Sequence, residues 1–409
     1  METHLADWIK GTPAGEEAES ILRACVHCGF CNATCPTYQL LGDELDGPRG
    51  RIYQIKQMLE GATPTRSTQL HLDRCLTCLN CETTCPSGVR YGRLVDIGRA
   101  EVDRLVPRPP ANAAKRALLR GALTRRWLFD PAVKVGRALR PLLPPLLRTK
   151  LPPARAAGAT PRRAHARKVL MLNGCVQPAL IPAIDAATAR VLDALGIETI
   201  VAAQSGCCGA IDFHLDAHEA AREKARRNID AWWPHLDGSV EAIVINASGC
   251  GVLVKDYAHL LREDAHYAEK AQRIAAMTLD LAEFVVPLVN VLGERATANT
   301  APRRIAFHPP CTLQHGQKVR VVVESLLAAL GAQLVPVPDA HLCCGAAGTY
   351  ALLQPELSQA LRARKLENLE RNAPQMIVSA NIGCLTHLET GTPIPVRHWI
   401  EWVDAALRP

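Results

Sequence analysis

The sequence predicts an α+β multidomain chain: an all-α N-terminal domain, then two repeated α/β domains with parallel strands. Three observations carry this. All sixteen cysteines of the 409 residues fall into four motifs of four. The motifs form two pairs of internal repeats, and such repetition dictates domain organisation. Helical periodicity surrounds the first pair, whereas strand-like runs alternating with helical patterns lead into the second.

Composition narrows the function. Hydrophobic residues at 48% and charged residues at 21% exclude disorder across the whole chain. With five Phe, six Trp and six Tyr, a stacking surface for single-stranded nucleic acid is not expected. Met1 to Ser20 carries five acids and one Lys without an apolar core, so no signal peptide is expected. No uninterrupted apolar run reaches the roughly 18 residues of a membrane span. A cysteine-rich chain of this kind is read as cytoplasmic, where thiols serve as metal ligands or redox groups rather than disulfides.

The first pair of motifs is Cys25-x2-Cys28-x2-Cys31-x3-Cys35-Pro36 and Cys75-x2-Cys78-x2-Cys81-x3-Cys85-Pro86, offset by 50 positions. This is the bacterial ferredoxin spacing: three close thiolates wrap one face of a cubane, and the fourth Cys ligates the other cluster. Two [4Fe-4S] clusters are therefore expected. One is held by Cys25, Cys28, Cys31 and Cys85, the other by Cys75, Cys78, Cys81 and Cys35. Structural zinc usually takes two C-x2-C knuckles, which three evenly spaced cysteines plus one match poorly. Between the motifs, Ile52, Ile55, Met58 and Leu59 recur at helical spacing. Arg49, Arg51 and Lys56 are either counter-charges to thiolate-ligated clusters or a solvated helix face.

The second pair is looser. Cys175, Cys207-Cys208-Gly209 and Cys250 are echoed by Cys311, Cys343-Cys344-Gly345 and Cys384. The gap from the first Cys to the vicinal pair is 32 residues in both copies. Apolar runs at Lys168–Asn173, Ile197–Ala202 and Ala242–Asn246 precede the cysteines of the first half. Arg304–Phe307, Ala332–Val337 and Met376–Ser379 do so in the second. Helical patterns lie at Ile181–Leu195, Ala217–Trp233, Val319–Leu330 and Glu356–Asn372. Alternation of this sort predicts parallel β-α-β units, and sites in open α/β sheets form beyond the carboxyl ends of the strands. Three strand ends per half would gather one Cys, a vicinal pair and another Cys. Each set is read as a possible iron–sulfur site or a thiol redox centre; the bland alternative is small buried hydrophobes. A vicinal pair suits an irregular cluster or thiol chemistry better than a cubane.

Arg104 to Lys168 resembles neither part. It holds seventeen Lys and Arg against one acid, Asp130, a net charge of +16, with many prolines and Leu-rich pieces around Trp127 and from Leu142 to Leu147. It is read as a solvated linker or as a docking surface for an acidic partner or an anionic membrane face. No nucleic-acid motif accompanies the charge, so no nucleic acid is expected. The domain boundaries are then 1–103 for the cluster domain, 104–168 for the basic segment, and 169–300 and 301–409 for the two α/β repeats.

With all four motifs in view, the chain resembles the iron–sulfur subunits of bacterial glycolate oxidase (glycolate dehydrogenase). The stretches Ile21 to Pro36, Leu40 to Ile52 and His71 to Tyr91 carry the resemblance, and it covers the chain except the basic segment. The N-terminal part is similar to helical dicluster ferredoxins. The repeats are similar to the cysteine-rich CCG domains of heterodisulfide reductase and anaerobic glycerol-3-phosphate dehydrogenase. Heterodisulfide-type CCG domains end in C-x2-C and bind a noncubane cluster through five cysteines. Here the fifth positions are Ala247 and Asn381, so each half keeps four.

The resemblance implies a division of labour. A partner's flavin oxidises glycolate to glyoxylate, and this chain carries the electrons singly towards a quinone or another acceptor. No flavin is expected here, since no convincing G-x-G-x-x-G occurs, and no catalytic residue is assigned. His308, His315 and His341, near Cys311 and Cys343, are either proton relays or structural histidines. Partners are flavin-containing glycolate oxidase subunits and a quinone or membrane surface. The location is cytoplasmic, or peripheral on the cytoplasmic face of the inner membrane. D-lactate or glycerol-3-phosphate oxidation and heterodisulfide-type reduction are the competing functions.

Overall fold

The computed structural model describes residues 1–142, 152–161, 163–236, 238–296 and 304–407. They fall into two compact units. One comprises Met1–Ala117 with His341–Lys365, the other Leu118–Ala340 with Leu366–Pro409.

The first unit contains no strand among its described residues and is built of helices. Helix Pro13–Ala24 starts at Thr12, whose hydroxyl caps Gly15 N–H, with Pro at the first helical position. The periodic run between the cysteine motifs is helix Pro48–Leu59, and its Ile52, Ile55, Met58 and Leu59 are buried as the spacing predicts. They form a core with Leu22 of the first helix, Leu72 of Arg66–Asp73, and Leu94, Val95 and Val102 of Tyr91–Leu105. The 341–365 segment belongs to the same unit. Its Tyr350 hydroxyl donates to Arg74 O at 3.1 Å, and Arg364 Nη1 donates to Gln39 Oε1 at 2.7 Å.

The second unit holds two four-stranded parallel sheets. The first has order β2-β1-β3-β4, with β1 Arg167–Met171, β2 Ile197–Ile200, β3 Val240–Ile245 and β4 Thr278–Asp280. The second has order β6-β5-β7-β8, with β5 Arg304–His308, β6 Gln333–Leu334, β7 Met376–Ser379 and β8 Val396–His398. The four predicted helical patterns are present as Ala183–Ala194, His218–Trp232, Val322–Ala329 and Pro355–Glu370.

One element per sheet was not expected and one run is shorter than expected. Each sheet carries a fourth strand beyond the three that lead into cysteines. β4 and β8 are three residues long, too short for alternation to show. Their signal was a capping box. Asp280 at the end of β4 accepts from Ala282 N–H while Glu283 reaches back to Asp280 N–H, and His398 and Glu401 repeat the arrangement after β8. Also, the apolar run at Ala332–Val337 forms only the two-residue β6, because Pro336 cannot donate to a ladder.

Within this unit the two repeats pack on each other. Ser248 N–H donates to Ala380 O at 3.1 Å, and the Ser248 and Thr312 hydroxyls lie 2.8 Å apart. Arg190 on helix Ala183–Ala194 forks onto both oxygens of Asp404 on helix Trp399–Ala406, at 2.8 Å each. Asp404 is nearly buried, so Arg190→Met leaves a poorly solvated carboxylate. It should cost roughly 3 kcal/mol of unfolding free energy, read from denaturant midpoints against Arg190→Met/Asp404→Asn, which should recover most of it.

The basic segment contains helices Pro110–Leu123 and Arg126–Ala138. Of its Leu-rich piece, residues after Leu142 lie outside the described residues. No helix among the described residues is long and apolar enough to cross a membrane.

Candidate metal and redox sites

The cysteines of the first two motifs line two hollows in the N-terminal unit. One is walled by Cys25, Cys28, Cys31 and Cys85, with Cys81 also on its lining. The other is walled by Cys35, Cys75, Cys78 and Cys81. Each motif thus lends its first three cysteines to one hollow and its fourth to the other. Local geometry explains the crossing. Helix Pro36–Leu41 begins immediately after Cys35 with Pro at its first position, turning that thiol away from the three before it. His27, Thr77 and Leu79 hold left-handed backbone between the close cysteines, bending each loop around its hollow.

The donor set fits an iron–sulfur cluster. Burial pushes the Cys31 thiol up to about 11 and raises Cys35 and Cys81 as well, with neighbouring thiols adding to each. Thiols so crowded resist ionisation alone, while cationic iron deprotonates a coordinating thiol outright. No disulfide forms among the described residues.

The second hollow has a charged wall. Arg51 is 1% exposed, and its Nη2 meets the fully buried Asp46 at 3.3 Å. Asp46 also accepts from Arg74 Nη1 at 2.8 Å and faces His71 Nδ1 at 3.1 Å. Arg99 donates to Cys75 O at 2.6 Å and to Leu72 O at 2.8 Å. The Tyr91 hydroxyl reaches Cys75 Sγ at 3.6 Å, and Thr77 N–H reaches the same sulfur at 3.4 Å. Of the three cations singled out in the sequence, Arg51 and Arg49 line hollows and Lys56 pairs instead with Glu60 at 2.5 Å. Asp46, Arg74, Arg99 and Tyr91 were not found from sequence. Their chemistry depends on which helices meet, which no spacing records.

In the first repeat Cys175, Cys207, Cys208 and Cys250 come together. Cys175 and Cys208 share hydrogen bonds with Cys207, holding the Cys207 thiol below its usual range, while Cys175 and Cys208 are pushed up by donating to it and by burial. Cys250 bonds Cys208. Cys250 and its counterpart Cys384 sit in the first turn of helices Ser248–Lys255 and Ile382–Glu389, one step beyond the strand ends. The vicinal loop is pinned from behind: Tyr257 Oη donates to Cys208 O at 2.8 Å, and Asn228 Nδ2 to Cys207 O at 3.1 Å. Gly209 takes φ +99°, and a Cβ there would press on Ala221 O at 3.1 Å. Gly345, at φ +88°, repeats this against Ser358 O at 2.6 Å. The third residue of each Cys-Cys-Gly motif is therefore glycine on both conformational and steric grounds.

In the second repeat the cysteines divide between the units: Cys311 and Cys384 belong to the sheet-bearing unit, Cys343 and Cys344 to the N-terminal one. At the position where a fifth cysteine would stand, Asn381 Nδ2 reaches Cys384 Sγ at 3.7 Å, and its Oδ1 accepts from Gly249 N–H at 3.2 Å. His308 ends β5 and is buried, as is His315 in the wide turn Thr312–Gly316. His341 lies in the N-terminal unit, its carbonyl 3.4 Å from Asn80 Nδ2.

Fold and sites together define an iron–sulfur protein joining a helical dicluster domain to a pair of cysteine-rich α/β domains. The 4Fe-4S dicluster domain family matches residues 21–89, and the cysteine-rich domain family (CCG) matches 169–255 and 305–389. The chain is 54% identical to the glycolate oxidase iron-sulfur subunit of Escherichia coli, covering 100% of this chain and 99% of that protein. It is 30% identical to the probable glycolate oxidase iron-sulfur subunit of Bacillus subtilis, over 91% and 89%. Lactate utilization protein A of Geobacillus thermodenitrificans is 30% identical over 57% of this chain and 97% of its own. The chain belongs to the family of glycolate oxidase iron–sulfur subunits.

Proposed function

We propose that this chain is the electron-transfer subunit of a flavin-dependent glycolate-oxidising complex. The observation that carries the reading is the pair of cysteine-lined hollows, each walled by three cysteines of one motif and the fourth of the other, with Cys81 reaching both. In the proposed assignment Cys25, Cys28, Cys31 and Cys85 hold one [4Fe-4S] cluster, and Cys75, Cys78, Cys81 and Cys35 the other. When bound, such clusters exchange single electrons. The chain's own residues position the thiolates, exclude water behind Tyr91 and Leu76, and supply counter-charge from Arg51.

The partner subunit oxidises glycolate to glyoxylate, losing a hydride from the α-carbon and a proton from the hydroxyl. Its flavin takes the electron pair, and a quinone or another acceptor receives it onward, one electron at a time. Full-length identity to a glycolate oxidase subunit supports glycolate as the substrate. No flavin is assigned to this chain. The proposed domain division is 1–103, 104–168, 169–300 and 301–409, and the proposed location is cytoplasmic, peripheral on the inner membrane. Cys175, Cys207, Cys208 and Cys250 form a further redox centre in this reading.

Iron, zinc and acid-labile sulfide per chain, measured on anaerobically purified protein, test the reading. About eight irons with cubane EPR signals support a loaded dicluster domain, with the CCG cysteines working as thiols. About twelve to sixteen place clusters in the CCG repeats as well. Stoichiometric zinc without sulfide overturns it.

A further inference from the structure

We propose that Arg51 is a potential-setting residue: it holds the reduction potential of the second site (Cys75, Cys78, Cys81, Cys35) above that of the first. An electron shared between the two sites then rests on the second. The inference rests on the iron–sulfur reading of these sites.

Two asymmetries carry it. The first is charge. Reduction adds one negative charge, which a fixed cation stabilises most where water does not screen it. At the second hollow Arg51 and Arg74 share a single acid, Asp46. Arg99 sits on the Cys75 carbonyl and the Met1 ammonium on the Cys25 carbonyl, so these two cations do not separate the sites. At the first hollow the lining cation, Arg49, is matched by Glu44 at 2.6 Å, and both are more than a third exposed or close to it. The second asymmetry is hydrogen bonding, which raises a cluster's potential when it falls on sulfur. Cys75 Sγ receives the Tyr91 hydroxyl and Thr77 N–H. Each site also has a sulfur facing an acceptor, Cys31 Sγ with Asn32 Oδ1 at 4.0 Å and Cys35 Sγ with Asp46 O at 3.8 Å, so the difference lies in the two donors to Cys75. Burial works in the opposite direction, since Cys28 is exposed while Cys35, Cys75 and Cys81 are buried. The buried Arg51, which lines the second hollow, outweighs that difference in solvation.

The test is an EPR-monitored redox titration of the full chain, wild type against Arg51→Gln, Arg51→Lys and Tyr91→Phe, with iron counted first. Cys85→Ala, which keeps only the second site, assigns the signals. The wild type should show the second site reduced first. Arg51→Gln should shift its reduced-to-oxidised ratio at least tenfold, 59 mV for one electron, leaving the first site in place. Arg51→Lys should recover most of the shift, and Tyr91→Phe should move the second site in the same direction by less. A loaded wild type with the first site higher, or Arg51→Gln at full iron with the second site unmoved, overturns the inference. If Arg51→Gln loses its iron, an unshifted Tyr91→Phe overturns it. A wild-type chain without iron and sulfide overturns the iron–sulfur reading as well, which separates the two failures.

Discussion

Cys85→Ala is expected to empty the site formed by the first motif, although Cys85 belongs to the second. Iron should fall from about eight to about four per chain, and Cys35→Ala should remove the other four. Double variants make the crossing decisive. Cys28→Ala/Cys85→Ala strikes one hollow twice, so iron should stay near four. Cys28→Ala/Cys35→Ala strikes both, so iron should fall to nearly none. If each motif served its own cluster, the two results would be exchanged. The non-additivity is what residues acting as one unit show, and sites without shared partners do not. The physical origin is the turn after each fourth cysteine: Pro36 opens a helix that points Cys35 towards the second hollow, and Pro86 lines the first beside Cys85.

Acid should destabilise the sheet-bearing unit through His398. This residue ends β8, is buried, and accepts Ile400 N–H on Nδ1 at 3.2 Å as a helix cap. Burial lowers its pKa from 6.5 to about 3, against a smaller opposing effect of the Ala380 and Asn246 backbone. The unfolded chain therefore binds a proton between pH 6.5 and 3 that the folded chain refuses. Stability from this residue is complete above pH 6.5 and is lost as pH falls. From pH 7.5 to pH 4 the loss should be on the order of 3 kcal/mol, at 1.36 kcal/mol per pH unit. His398→Asn keeps a capping oxygen and cannot titrate. Its unfolding free energy should fall less over that range, measured by denaturant unfolding at each pH. Parallel slopes for the two proteins would refute the assignment.

Much of the architecture was legible in the cysteines. Their spacing is chemical: a cubane needs three thiolates within a short loop, so the motif names its ligand set before any fold is known. The pairing of halves was legible because repeats of Cys-Cys-Gly at equal offsets cannot arise from core packing. Glycine at 209 and 345 adds a reason the sequence alone did not display, since its neighbours Ala221 and Ser358 come from a later helix. What escaped was short or non-local. β4 and β8 offer three residues each, below the length at which alternation becomes a pattern. The charges around the second hollow come from positions 46, 51, 74 and 99, which share no periodicity.

The sequence by itself determined the donor chemistry, the repeats and the parallel β-α-β order, because these depend on residue type and local spacing. Only the tertiary structure decided which cations face the sulfurs and that residues 341–365 belong to the N-terminal unit. Those outcomes follow from how helices pack. A buried guanidinium acts on a thiolate through a few ångströms of low-dielectric interior, a distance that separation along the chain does not encode.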